Sequence, residues 1–194
     1  MDTVNPKLSP HEAIVIFADL QRGIADLPLT VPSADLLRCV QGLARLAEIF
    51  DVPTLALTIP KRDGGPSVVV PQITDTRTKI THLQRTTPDS FENTGIRGAI
   101  EASGRKTLVV CGVATEIVVQ WLVLSGLANG YKVHVVVDCC GGLGERSEQA
   151  ALRRVEAAGA VMNSVMSLSG EWAGDMSQPI GRETIEVVWR LIGS

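Results

Sequence analysis

The chain alternates short apolar runs with longer stretches whose apolar residues recur at helical spacing. Ala13 to Asp19 is the first run, closed by a carboxylate. Ser33 to Phe50 then carries Leu36, Leu37, Val40, Leu43, Leu46, Ala47 and Phe50 on one helical face, so a strand followed by a helix is predicted. Pro53 to Ile59 is a second run, and the Lys61-Arg62-Asp63-Gly64-Gly65-Pro66 stretch after it reads as loop. Ile80 to Gln84 predicts a third strand. Thr107 to Gly112 and Lys132 to Asp138 are β-branched and nearly continuously apolar, the pattern of parallel strands buried on both faces. Between them, Thr115 to Asn129 has helical length. Glu145 to Ala158 predicts another helix, stopped at Gly159, before the short run Ala160 to Val165. Glu183 to Ile192 reads as an amphipathic helix, with Val187, Val188, Leu191 and Ile192 among its apolar residues.

Strands alternating with helices of this length form βαβ units with right-handed crossovers. The expected fold is therefore α/β: a three-layer αβα sandwich around a doubly wound, mainly parallel sheet. No repeat, low-complexity tract or linker interrupts the pattern, so residues 1–194 read as a single domain. Ligands in such sheets sit outside the carboxyl ends of the strands. The positions to examine are Asp19, Arg85, Gly112 to Val118, and Asp138 to Gly142.

Composition narrows the function classes. A net charge of −3 with no basic block lacks the electrostatic footprint of phosphate-backbone binding, and 4% aromatics offer no base-stacking surface. Nucleic acid is excluded as an expected partner. The N-terminal stretch Met1 to Glu12 is polar, and no apolar run approaches the ~20 residues of a membrane span, so a cytoplasmic protein is expected. Cys39, Cys111, Cys139 and Cys140 have neither zinc-site spacing nor disulfide-scaffold density, and read as reduced thiols. His11, His82 and His134 are isolated, and no metal is expected. Gly142-Leu143-Gly144 is an incomplete dinucleotide fingerprint, so no cofactor is expected either.

Asp19-Leu20-Gln21, then Arg85 with Asp89-Ser90-Phe91-Glu92-Asn93-Thr94, then Gly112-Val113-Ala114-Thr115-Glu116, then Val137-Asp138, follow in that order along the chain. Together they resemble the isochorismatase-like cysteine hydrolases, and most closely the YcaC-like branch of oligomeric hydrolases of largely unknown substrate. The resemblance implies a triad of aspartate, basic residue and cysteine. These positions fall on Asp19, Arg85 and Val118, with a valine where the nucleophilic cysteine belongs. It further implies a cis peptide at Val113-Ala114 and an oxyanion site at the backbone N–H groups of Ala114 and Val118. Gln21, Phe91 and Thr115 become candidate pocket residues, and the protein is expected to be a homo-oligomer acting on a small molecule. Nicotinamidases of this superfamily carry an Asp-x-His metal motif after the second strand, and Thr58-Ile59-Pro60-Lys61-Arg62-Asp63 lacks the histidine.

Asp19 is expected to move a proton and Arg85 to hold it ionised and orient a substrate carbonyl or carboxylate. Thr115 is expected to cap the following helix, which would put the Val118 N–H at the third helical position. Asp138 is expected to be structural, bonding loop N–H groups around Gly141 and Gly142. A valine cannot attack a carbonyl, and losing a catalytic nucleophile costs about 10⁶-fold in enzymes that work through covalent intermediates. Three readings follow. One is a family hydrolase acting on a C–N or vinyl-ether bond, with Asp19 and Arg85 as the surviving pair. Another is a catalytically silent member serving as a ligand-binding or structural unit. The last is a thiol enzyme that uses Cys111, Cys139 or Cys140 instead.

Overall fold

The computed structural model describes residues 7–193, so Met1 to Pro6 of the polar N-terminal stretch lie outside the described residues. The apolar runs become six strands: β1 (Ala13–Ala18), β2 (Thr54–Thr58), β3 (Ile80–Gln84), β4 (Thr107–Val113), β5 (Lys132–Gly141) and β6 (Val161–Asn163). They form one parallel sheet in the order β3-β2-β1-β4-β5-β6. Every residue of β1, β2 and β4 is buried, as helices on both faces require, whereas the edge strand β3 is half-buried or exposed throughout.

The helices are α1 (Ser33–Ile49), α2 (Pro71–Thr74), α3 (Thr94–Ala102), α4 (Gln120–Ala128), α5 (Glu145–Ala157), α6 (Val165–Trp172) and α7 (Pro179–Ile192). One layer holds α1, α6 and α7, while α4 and α5 pack together on the other face. The chain builds the sheet outward in one direction through β1, β2 and β3, then restarts at β4 on the other side of β1. This strand-order reversal is where open α/β sheets form their crevice. The register pairs Ala18 with Gly112, so Asp19 and Val113 lie side by side at the carboxyl edge. Gly112 has φ +145°, and a Cβ there would run into the carbonyl oxygen of Ala18.

Several expected elements change in detail. The stretch Thr115 to Asn129 opens with a π-type turn, Thr115–Val119, before α4 begins. Beyond Asp138, β5 continues to Gly141, so Asp138 sits inside the strand rather than at its end. The run at Ala160 to Val165 splits into β6 and the start of α6, whose N-cap Ser164 accepts from the Ser167 N–H. Four residues earlier than the periodicity suggests, Pro179 begins α7 at the favoured first position. The apolar face of α7 is also divided differently. Val187 and Leu191 approach Gly42 of α1, leaving Ile180, Trp189 and Ile192 exposed.

Candidate active site

Asp19 follows the last residue of β1 with φ +54°, a left-handed turn that swings the chain out of the sheet. Its N–H donates to the Leu57 carbonyl at 2.9 Å, tying it to β2. Arg85 follows β3, and its N–H donates to the Thr58 carbonyl at 2.9 Å. Since β2 lies between β1 and β3, the Arg85 side chain must cross about 10 Å, two strand spacings, to reach Asp19. It does so with both donors of its fork: Nε donates to Asp19 Oδ1 at 3.1 Å and Nη2 donates to Oδ2. Nη1 donates to the Thr87 carbonyl at 2.6 Å, which fixes the guanidinium plane. Asp19 is 2% and Arg85 5% exposed. Burial pushes the Asp19 carboxyl above the ordinary carboxylate range, and the Arg85 guanidinium opposes that shift without cancelling it.

The third element arrives from β4. The Val113-Ala114 peptide is cis, and Ala114, not Thr115, occupies the cap position of the π-type turn. Thr115 is buried, and its hydroxyl donates to Glu148 Oε1 at 2.7 Å instead of capping the helix. Val118 is thus the fourth residue of the turn rather than the third, and its side chain is completely enclosed in the apolar core. Turns of this π type recur at functional sites, where the extra residue re-aims the side chains around it.

Of the other candidate residues, Gln21 is 1% exposed and clamps the end of β2: Nε2 donates to the Ile59 carbonyl at 3.1 Å while Oε1 accepts from the Ile59 N–H at 2.9 Å. Phe91 proves to be a core side chain. Its ring sits 6.0 Å from that of Tyr131 and touches Gly126 at the far end of α4 from Thr115, because the chain turns there under Asp89, which accepts the Phe91 N–H. Asp138 bonds a different partner from the one expected. Both its oxygens accept from the Val165 N–H at 3.1 Å, anchoring the start of α6 rather than the glycine loop. That loop is served by others: the Gly142 N–H donates to Thr30 Oγ1 and the Leu143 N–H to Glu116 Oε1. Cys111, Cys139 and Cys140 are buried, and burial together with the neighbouring Cys111 holds the Cys139 and Cys140 thiols well above their usual range. Cys139 and Cys140 are thus poor sources of a thiolate. Cys39 is likewise raised, to about 11, first by burial and then by the Asp138 charge. Among the described residues no group of three or more His, Cys, Asp or Glu could hold a metal ion.

A family description matches most of the chain. Residues 13–167 correspond to the isochorismatase domain. The chain belongs to the isochorismatase family. It is 27% identical over 175 residues to Probable hydrolase YcaC of Escherichia coli strain K12, covering 88% of this chain and 84% of that one. Isochorismatase domain-containing protein 2A of Mus musculus is 28% identical over 192 residues, covering 94% and 85%. Among solved structures, YcaC from Pseudomonas aeruginosa, with hexane-2,5-diol and covalent acrylamide, superposes with a TM-score of 0.89 at 27% identity over 97% of this chain and 93% of that one. The E. coli YcaC structure, described as an octameric hydrolase of unknown specificity, gives 0.88 at 26% identity over 97% and 92%.

Within this isochorismatase-family site, the roles of five residues escape a reading of the sequence. The Thr87 carbonyl steadies Arg85, and Glu116 organises the loop after β5, accepting from Ser147 Oγ at 2.9 Å as well as from Leu143. Arg22, Lys61 and Arg62 line a cavity beside Gln21. The only signal in the chain was their position after β1 and β2, and nothing in the spacing joins two loops some forty residues apart.

Proposed function

We propose that this isochorismatase-family chain hydrolyses a small polar or carboxylate-bearing molecule without a thiol nucleophile, at a vinyl-ether or C–N bond, with Asp19 moving the proton. The observation that carries the reading is the buried, two-point Asp19–Arg85 pair at the strand-order reversal. A vinyl ether suits it best. The protonated Asp19 carboxyl gives its proton to the double-bond carbon, and the electron pair of the ether oxygen forms an oxocarbenium ion. Water adds to that cation, loses a proton back to the Asp19 carboxylate, and the resulting hemiketal breaks into a carbonyl and an alcohol. No acyl intermediate forms, so Val118 is no obstacle. The upward shift of the Asp19 carboxyl favours the proton-carrying form the first step needs, and Arg85 stabilises the carboxylate left behind.

The near-complete enclosure of the pair, with Val118 sealed inside the apolar core, favours a second reading, a catalytically silent binding or structural unit. Turnover decides between them. Wild-type protein and Asp19→Asn are assayed against vinyl-ether and amide substrates, with iodoacetamide-treated wild type as control. Hydrolysis that survives iodoacetamide and falls at least a hundredfold in Asp19→Asn supports the proposal. Unchanged turnover in the variant, or none in the wild type, removes it. Leaving Arg85 buried without its partner costs about 3–5 kcal/mol, so thermal unfolding accompanies the assay. Should Asp19→Asn fail to fold, Arg85→Lys, which keeps the charge but not the fork, is the second variant, with retained but reduced turnover expected.

A further inference from the structure

A cavity of about 650 Å³, within the size range of small-ligand sites, opens between the loops that follow β1 and β2. Its walls are the loop after β1, from Gln21 to Leu27, and the loop after β2, from Ile59 to Asp63. Three cations line it, Arg22, Lys61 and Arg62, against the single carboxylate of Asp63. That carboxylate is committed elsewhere, accepting the Gly65 N–H at 2.9 Å. Among the described residues none of the three cations has a side-chain hydrogen bond or ion pair, whereas Arg38, Arg45, Arg77 and Arg85 all do. The remaining wall is apolar, chiefly Ile24, Leu27 and Pro60.

The two walls are also held in fixed relation. Gln21 clamps Ile59 through both ends of its amide, the Ser67 hydroxyl donates to the same Ile59 carbonyl at 2.6 Å, and the Arg22 N–H donates to the Val68 carbonyl at 2.9 Å. Three cations without intramolecular partners, carried on loops fixed to one another and beside apolar side chains, form a receptor for an anion with an apolar body. Gln21 is two residues from Asp19, at most about 7 Å along the chain.

We propose that this cavity binds the anionic group of a small organic ligand through Arg22, Lys61 and Arg62, and that the ligand is the substrate. The second half of that statement rests on the hydrolase reading above, whereas the binding site itself does not.

The test is a titration of the full-length protein, followed by backbone amide shifts, with benzoate, phenyl phosphate and the neutral benzamide. Benzoate or phenyl phosphate should shift the amides of Gly23, Lys61 and Arg62 and saturate, with benzamide at least tenfold weaker and the anion's affinity falling as salt rises. The double variant Lys61→Gln/Arg62→Gln should weaken the anions about tenfold without changing the melting temperature, because neither side chain is buried. Equal binding of benzoate and benzamide, no effect of the double variant, or shifts confined to other regions overturn the site. Turnover of the wild-type protein separates the two proposals. Anion binding retained in a protein that hydrolyses nothing leaves the site standing and ends the hydrolase reading, whereas hydrolysis indifferent to Lys61→Gln/Arg62→Gln ends the role of the cavity in substrate binding.

Discussion

At the residue scale the site is defined by one substitution and one ion pair. Val118 occupies the place where the family resemblance puts a nucleophile, and it is packed on all sides. The position still follows a strand end and opens a helix, where free N–H groups and the helix dipole favour a thiolate. We therefore expect Val118→Cys to be alkylated by iodoacetamide at neutral pH at least tenfold faster than the native cysteines, two of which burial keeps in the thiol form. A rate equal to theirs would mean that enclosure outweighs the helix end at this position. The Asp19 and Arg85 positions were legible from the sequence, since each follows an apolar run. Their two-point contact was not, because it depends on β2 lying between them. Phe91 shows the opposite outcome: its place in a recognisable motif said nothing about which way its ring turns, and Tyr131 and Gly126 decide that.

At the element scale, strands were read more faithfully than helix ends. A buried parallel strand is a continuous apolar run, visible without knowledge of its neighbours, and β1 begins at Ala13 and β4 at Thr107, where the pattern predicts. Helix starts depend on caps and on competing partners. Thr115 looks like a cap but spends its hydroxyl on Glu148, thirty-three residues away. The helix α3 was not expected at all, because Gly95 and Gly98 dilute its pattern, although Asn93 caps it by accepting from the Gly95 and Ile96 N–H groups. Two glycine substitutions separate conformational cost from close approach. Gly112→Ala forces a Cβ against the Ala18 backbone and is expected to cost about 3 kcal/mol or more in urea unfolding. Gly98→Ala, exposed and with nothing near its added Cβ, is expected to stabilise by about 0.5–1 kcal/mol. No loss of stability in Gly112→Ala would show that the junction of β1 and β4 is looser than this register implies.

At the scale of the whole molecule, α7 presents an unpaired apolar strip. Trp189 is 64% and Ile192 55% exposed, with Ile180 on the same helix. The E. coli YcaC structure is described as octameric, and we expect this chain to self-associate through α7 in a closed symmetric assembly. Light scattering at micromolar concentration should report a mass several times that of the chain, and Trp189→Asp should lower it. A monomer in the wild type, or an unchanged mass in the variant, rules the strip out. No helix among the described residues is long and apolar enough to cross a membrane. The sequence by itself determined the α/β class, the sheet-forming runs and the strand-end positions of Asp19 and Arg85, because burial on two faces and a turn at each strand end are local properties written in consecutive residues. Only the tertiary structure decided which strands adjoin, that Arg85 reaches over β2 to Asp19, that α7 turns Val187 and Leu191 inward and Trp189 outward, and that Arg22, Lys61 and Arg62 face one cavity. Each of those depends on contacts between segments far apart in the chain, whose geometry is set by packing and not by the spacing of residues along the sequence.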